Sequence, residues 1–437
     1  MRKACFLILS FLLFGPALLA TNSHPALSLE QCIAIALKRN PDIAAAQALV
    51  AAAKANMKVA HAGYLPQVDI GQSYIRQTYN YTANPGTPPA VWRLFYKGQS
   101  NANAPYYYAG LNLSQNLLDF GRTKGAIESS QAQFQAAQHN LRFVRDQVDY
   151  NVRTAYFTVI AARETVEIQK AAVADAQRHL DQAQAFHQYG TAPKIDVTRE
   201  QLALANARLA LRQAEENLEV DRAELATTMG LPADQSPEPL GTLGQERAPE
   251  SFSQLVAEAE QNRGDLLAQF DQVQAALGNL TTAKGNLKPD LSLSAFLDFR
   301  NLTLPLVYNW SLGQLLTQSI FSGGANRARV RAAQAQEAAA RDNVESLRLQ
   351  VEQQVFSALS NLKLAQEQIG NAIEADRYAR ENLALAEGRY KVGVGNVVEL
   401  DDAQFQATNA AIAVVTARYN YQIASAKLDF VLGRGPR

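Results

Sequence analysis

The side chains able to do chemistry are few and scattered. The five histidines are His24, His61, His139, His179 and His187. His179 and His187 lie on one helical stretch, but eight residues put them ~12 Å apart along a helix axis. That is too far to share a metal ion within one chain. A ring of His187 side chains in an oligomer is the alternative to a solvated helix face. Cys5 and Cys32 are the only cysteines, too few for a zinc cluster. Gly393-Val394-Gly395 lacks the third glycine of a dinucleotide fingerprint, and it sits between two helical patterns rather than after a strand. No Ser-His-acid set is suggested. Glu399 and Asp402 are three apart, so they share one helix face; by themselves they read as solvated acids. No enzyme activity, cofactor or metal site is expected. A formal net charge of zero gives no basis for binding nucleic acid.

The elements that carry these residues are mostly helical. Only 16 prolines and 24 glycines punctuate 437 residues, and Ala, Gln, Leu, Glu and Arg dominate the middle, a composition that favours long helices. The start differs. Arg2 and Lys3 precede an apolar run from Phe6 to Leu19, and Ala20 offers a small residue for cleavage. Residues 1–20 therefore read as a signal peptide, because the run is shorter than the ~20 apolar residues a spanning helix needs. Cys5 lies within it, which leaves Cys32 without an intramolecular disulfide partner. No Cys follows the cleavage point to accept a lipid. Beyond it no apolar stretch reaches 18 residues, so any membrane crossing would not use helices.

The chain is written twice. Leu29, Asn40-Pro41-Asp42 and Pro66 recur 223 residues later as Phe252, Arg263-Gly264-Asp265 and Pro289. A second register, 203 residues apart, relates Leu113-Ser114-Gln115 to Leu316-Thr317-Gln318, and Gly121, Gly190 and Gly230 to Gly324, Gly393 and Gly433. We read a first repeat over 21–235 and a second over 251–437, joined by a Pro/Gly-rich linker at 236–250. Each repeat runs helix, strand pair, very long helix, turn, shorter helix. The strand pairs fall at 66–119 and 289–322, the long helices at 122–189 and 325–390, and the last helices at 195–229 and 397–432. The first half carries an insert around 79–105.

The last helix of each repeat has a seven-residue period. Val197, Leu204, Leu211, Leu218 and Leu225 mark it in one, and Leu400, Ala407, Val414, Tyr421 and Leu428 in the other. Such a period means coiled-coil packing. A helix over 122–189 would be ~100 Å long. A unit of this kind has no globular core and must bury its stripes against neighbours.

The strands alternate. Leu291, Leu293, Ala295, Leu297 and Phe299 oppose Ser292, Ser294, Asp298 and Arg300, with Phe296 as the exception. Tyr107, Ala109, Leu111, Leu113 and Leu117 oppose Gly110, Asn112, Ser114 and Asn116. The stretch 67–78 alternates poorly. Apolar-out, polar-in strands fit a membrane barrel; a soluble sheet with one solvated face alternates identically. The signal peptide and the aromatic strand ends (Tyr74, Tyr79, Tyr81, Tyr106, Tyr308, Trp310) favour the barrel. Four strands cannot enclose a lumen, so several copies must complete it in a ring. The fold class is mainly α with a membrane β-barrel portion. A periplasmic coiled-coil adaptor or scaffold without a pore is the alternative.

Three segments carry a resemblance. Leu27-Ser28-Leu29-Glu30-Gln31 through Asn40-Pro41, Leu113-Ser114-Gln115 through Gly121-Arg122, and Arg389-Tyr390-Lys391-Val392-Gly393-Val394-Gly395 through Leu400 resemble, in order, motifs of the TolC-like outer-membrane efflux protein family. The resemblance implies a homotrimer with a twelve-strand barrel in outer-membrane lipid and a long α-helical coiled-coil barrel in the periplasm. It implies a passive duct of a tripartite efflux or type I secretion system. A periplasmic adaptor would bind the tip, and an inner-membrane transporter would be reached indirectly. By the same resemblance, the turns at Gly190-Thr191 and Gly393-Val394-Gly395 would contact the adaptor. Glu399 and Asp402 would line the periplasmic entrance, held shut through Tyr390 and Asp196. The family's Arg position is Gly395 here, so one restraint is missing.

Overall fold

The computed structural model describes residues 26–78, 103–242, 251–301 and 304–436. The expected signal peptide at 1–20, residues 79–102 of the insert with Tyr79 and Tyr81, and residues 243–250 of the linker lie outside the described residues. In order, the elements are β1 (Ala26–Leu27), α1 (Leu29–Arg39), α2 (Pro41–His61), β2 (Gln67–Thr78), β3 (Asn103–Leu118), α3 (Arg122–Gln188), α4 (Lys194–Thr228), β4 (Glu238–Pro239), α5 (Phe252–Asn262), α6 (Gly264–Gly285), β5 (Asp290–Asn301), β6 (Val307–Thr317), α7 (Ala325–Lys391) and α8 (Val397–Leu432). The two long helices have 67 residues each. Local chemistry sets several ends. Asn40 Oδ1 accepts the Asp42 N–H at 2.8 Å and Pro41 takes the first helical position, which separates α1 from α2. No helix among the described residues is long and apolar enough to cross a membrane.

The chain forms two compact units. The first gathers the described residues of Met1–Arg39, Asn151–Gln245 and Ile369–Gln422. Its seams are the predicted heptads: Leu204, Leu218, Leu400, Ala407 and Tyr421 are buried. Residues 236–242 of the segment read as linker belong to this unit. β4 pairs in parallel with β1, and the Leu240 N–H donates to Leu27 O at 2.9 Å. The Tyr156 hydroxyl donates to Leu240 O, with Leu27 O 3.3 Å away, and Arg163 donates to Pro239 O and Gly241 O at 3.0 Å each. Backbone carbonyls of this segment thereby gain protein partners, Pro239 O among them at a buried residue.

The second unit gathers Asn40–Tyr150, Glu246–Gln368 and the described residues of Ile423–Arg437. It contains one antiparallel four-stranded sheet in the order β2-β3-β5-β6. Its register turns alternation into rows. Val68, Leu113, Ala295 and Leu312 stand abreast, as do Ile70, Leu111, Leu297 and Trp310, on one face. Next to the second of these rows, on the other face, Gly71, Gly110, Asp298 and Asn309 stand abreast. The apolar rows are bare in the single chain: Ile70 is 84% and Trp310 71% exposed. The poorly alternating stretch 67–78 is a full 12-residue strand, because pairing along β3 supplies what its own pattern lacks. β3 starts at Asn103, inside the segment read as insert, since the ladder continues to Thr78. A register shift between Asn116 and Leu118 brings Leu118 opposite Leu291, where an unbroken ladder would bring Leu117.

Polar pins hold the sheet's base. Asp119 accepts the Thr123 N–H at 2.7 Å and the Gly121 N–H at 3.2 Å, and so caps α3. Arg122 pairs with Asp290 at 2.7 Å, which ties the start of α3 to β5. The C-terminus is fixed by Arg434, whose Nε and Nη2 each sit 2.7 Å from a Glu258 oxygen.

Candidate functional site

Both helix hairpins of the first unit end in turns built the same way. After α3, the Gly190 N–H donates to His187 O at 3.0 Å and the Thr191 N–H to Phe186 O at 2.9 Å. After α7, the Gly393 N–H donates to Tyr390 O at 3.1 Å and the Val394 N–H to Arg389 O at 3.0 Å. This paired pattern satisfies the last helical carbonyls and needs a left-handed residue in the middle. Gly190 (φ 75°) and Gly393 (φ 77°) supply it. Side chains reinforce the first turn: the Thr191 hydroxyl donates to Phe186 O at 2.9 Å, and His187 Nδ1 to Ala192 O at 3.0 Å. The second turn is tighter. The Gly395 N–H also reaches Arg389 O at 2.9 Å, and a Cβ there would lie 2.9 Å from Arg389 Cβ and from Tyr390 N. Gly395 therefore answers a close approach of backbone to backbone, which excludes a larger side chain unless the turn shifts. Both turns leave apolar groups bare: Tyr189, Val392 and Val394 are exposed.

The expected entrance residues fall into two settings. Glu399 sits in the first turn of α8, where Asn396 Oδ1 accepts its N–H at 2.8 Å. Its carboxylate pairs with Arg389 Nε at 3.1 Å, both side chains about half exposed. Asp402 is exposed one turn later. Tyr390 is instead buried among Val397, Leu400, Ala403 and Ala386, and its ring lies 5.7 Å from that of Phe186. Its hydroxyl has no hydrogen-bond partner among the described residues. Burial first, then the charges of Asp196, Glu200 and Asp401, push that hydroxyl up to about 12. Asp196 is thus in electrostatic reach of Tyr390, but no hydrogen bond joins them within the chain. Glu399 is drawn to Arg389 rather than to this pair.

Three of the groups at this tip were not singled out in the sequence: Arg389, Asp401 and Glu200. Glu200 is 1% exposed, and neither of its oxygens has a hydrogen-bond partner among the described residues. Burial, then Asp401 and Asp196, raise its carboxyl to about 7, against a smaller pull from Arg199. Asp401 is raised by its own burial, opposed by Arg199 and His179. A signal for Glu200 was present. It lies three residues after Val197 in the seam, where the other repeat, 203 residues on, carries Ala403. Among the described residues no group of three His, Cys, Asp or Glu side chains is placed to hold a metal ion.

The model of a family described as outer membrane efflux protein matches residues 32–231 and again 255–434. The chain is 25% identical over 414 residues to the pyoverdine export outer membrane protein OpmQ of Pseudomonas putida, covering 93% of this chain and 86% of that one. It is 26% identical over 418 residues to the outer membrane protein TolC of Escherichia coli, covering 90% and 80%. Among solved structures, the Campylobacter jejuni CmeC outer membrane channel superposes with a TM-score of 0.81 at 20% identity, covering 93% of this chain and 85% of that one.

Proposed function

The chain belongs to the outer membrane efflux protein family, and from that premise we propose that it is one subunit of a passive export duct through the outer membrane. The observation that carries the reading is the four-stranded sheet with its bare apolar rows. Strands of 11 to 16 residues are long enough to span a tilted barrel wall. An open four-stranded sheet in lipid would leave two edges of unpaired backbone groups, so copies must close it. Three copies give twelve strands, the trimer that the family resemblance implies. The double match of the family model supports taking 21–235 and 251–437 as two copies of one unit.

At the periplasmic end, Gly190-Thr191 and Gly393-Val394-Gly395 are the surfaces for an adaptor protein, which links the duct to an inner-membrane transporter. Bare Tyr189, Val392 and Val394 support that use. Glu399 and Asp402, repeated by symmetry, form rings of negative charge at the entrance. Tyr390 and Asp196 belong to the packing that holds the entrance shut, and Arg389 stands near the place of the family's missing Arg. No chemical step is required of the chain: cargo and energy are the transporter's.

Planar-bilayer recording tests the reading. Protein purified from outer membranes is expected to insert and give stepwise ion conductance. A protein that stays in the periplasmic soluble fraction and never conducts belongs to the adaptor or scaffold class instead.

A further inference from the structure

Glu200 has no task in the duct as described. A carboxylate taken out of water without a partner is costly, and Ala403 occupies the same seam position in the other repeat, so packing does not call for an acid. Glu200 lines a groove of about 930 Å³ shared by α3, α4 and α8. Gln404, also on its lining, uses Nε2 on Asp175 (3.5 Å) and Thr408 (3.4 Å) and leaves a buried Oε1 without a partner. Three buried oxygen acceptors, on two residues that line one groove, thus lack donors among the described residues. The rest of the wall is divided. Ala172, Ala176, Ile195 and Phe405 are apolar, while Asp401 and Asp402 are acidic. The charged groups facing this region are Asp196 and Arg199 from α4, Asp401 and Asp402 from α8, and His179 from α3, whose Nε2 lies 3.3 Å from Glu387 of α7; Tyr390 adds a neutral hydroxyl.

We propose that this groove is a binding site for an aromatic organic cation that carries amino groups, its N–H groups donating to Glu200 and Gln404 and its apolar body lying on Ile195 and Phe405. Asp401 and Asp402 add negative potential, and the exposed Arg199 opposes it. A metal ion is a poorer match, because three convergent ligands are lacking among the described residues. The site stands on its own geometry; only the route by which a cation reaches it rests on the duct reading. Protons compete with the cation. With Glu200 raised to about 7 by burial and its acidic neighbours, its charged form, the one that attracts a cation, is lost as pH falls below that value.

The test uses ethidium, a planar aromatic cation with two amino groups, and fluorescence anisotropy on the full-length protein in detergent. Saturable binding is expected at pH 8, weakening about tenfold per pH unit below 7. Glu200→Gln is expected to weaken it about ten- to a hundredfold, and Gln404→Leu a few-fold. Glu216→Gln, an exposed acid on the same helix, controls for loss of charge. If Glu200→Gln does not assemble, Gln404→Leu and the wild-type pH profile still decide. Equal affinity in wild type and Glu200→Gln, a pH-independent affinity, or no saturable binding by wild type would overturn the site. Conductance of the same wild-type preparation separates the two readings. Conduction without ethidium binding refutes the site and not the duct, and binding without conduction does the reverse.

Discussion

At the residue scale, the second tip turn is ruled by Arg389 and Gly395. Gly395 has no room for a Cβ against Arg389 and Tyr390, so Gly395→Arg forces the turn to move. We expect a cost of about 1–3 kcal/mol, read as a lower thermal midpoint; an unchanged midpoint means the turn relaxes freely. Arg389 offsets the charge of Glu399 across 3.1 Å. If both acids border the constriction, Glu399→Ala with Asp402→Ala lowers cation selectivity and Arg389→Ala raises it, measured as the reversal potential in a salt gradient. A reversal potential indifferent to all three removes them from the conduction path. The acids were legible in the sequence only through the family's motif, since exposed helix carboxylates carry no signal of their own. Arg389 was not legible as their partner, because a turn's geometry decides which of several nearby cations reaches a carboxylate. Glu200 was legible in principle, as an acid at a seam position that is Ala at 207 and 214, with Asp221 the other acid in that register.

At the element scale, the helices were the most readable part, because a period sustained over five heptads leaves little choice of buried face. Leu225 (0% exposed) and Leu428 (2%) are equivalent positions in that period. Truncating either to Ala is expected to cost about 2–5 kcal/mol, seen as an earlier loss of helical circular dichroism on heating. A midpoint within a degree of wild type would mean that these seams are not packed as described. The turns obey a different constraint. A Cβ on Gly190 or Gly393 would meet nothing within 4 Å, so Ala there suffers only from the left-handed backbone, about 1 kcal/mol each. The strands were less readable. Residues 67–78 look irregular by themselves and become regular only beside β3. The β3 bulge exchanges Leu117 for Leu118 in the register with Leu291, which no local pattern announces. The β1–β4 pair joins two-residue segments far apart in sequence, too short to leave a periodic trace.

At the scale of the whole molecule, the sheet is the deciding feature. Its rows place Ile70, Leu111, Leu297 and Trp310 on one face and Gly71, Gly110, Asp298 and Asn309 on the other. A face of the first kind belongs against hydrocarbon, and one of the second kind toward water. Two free edges make the single chain incomplete in a membrane, so assembly is a requirement of the fold rather than an embellishment of it. The most direct measurement is the native mass of the protein extracted from outer membranes in mild detergent. The account predicts a single species of three chains, each lacking residues 1–20. A single-chain species, recovered soluble from the periplasm, would contradict it.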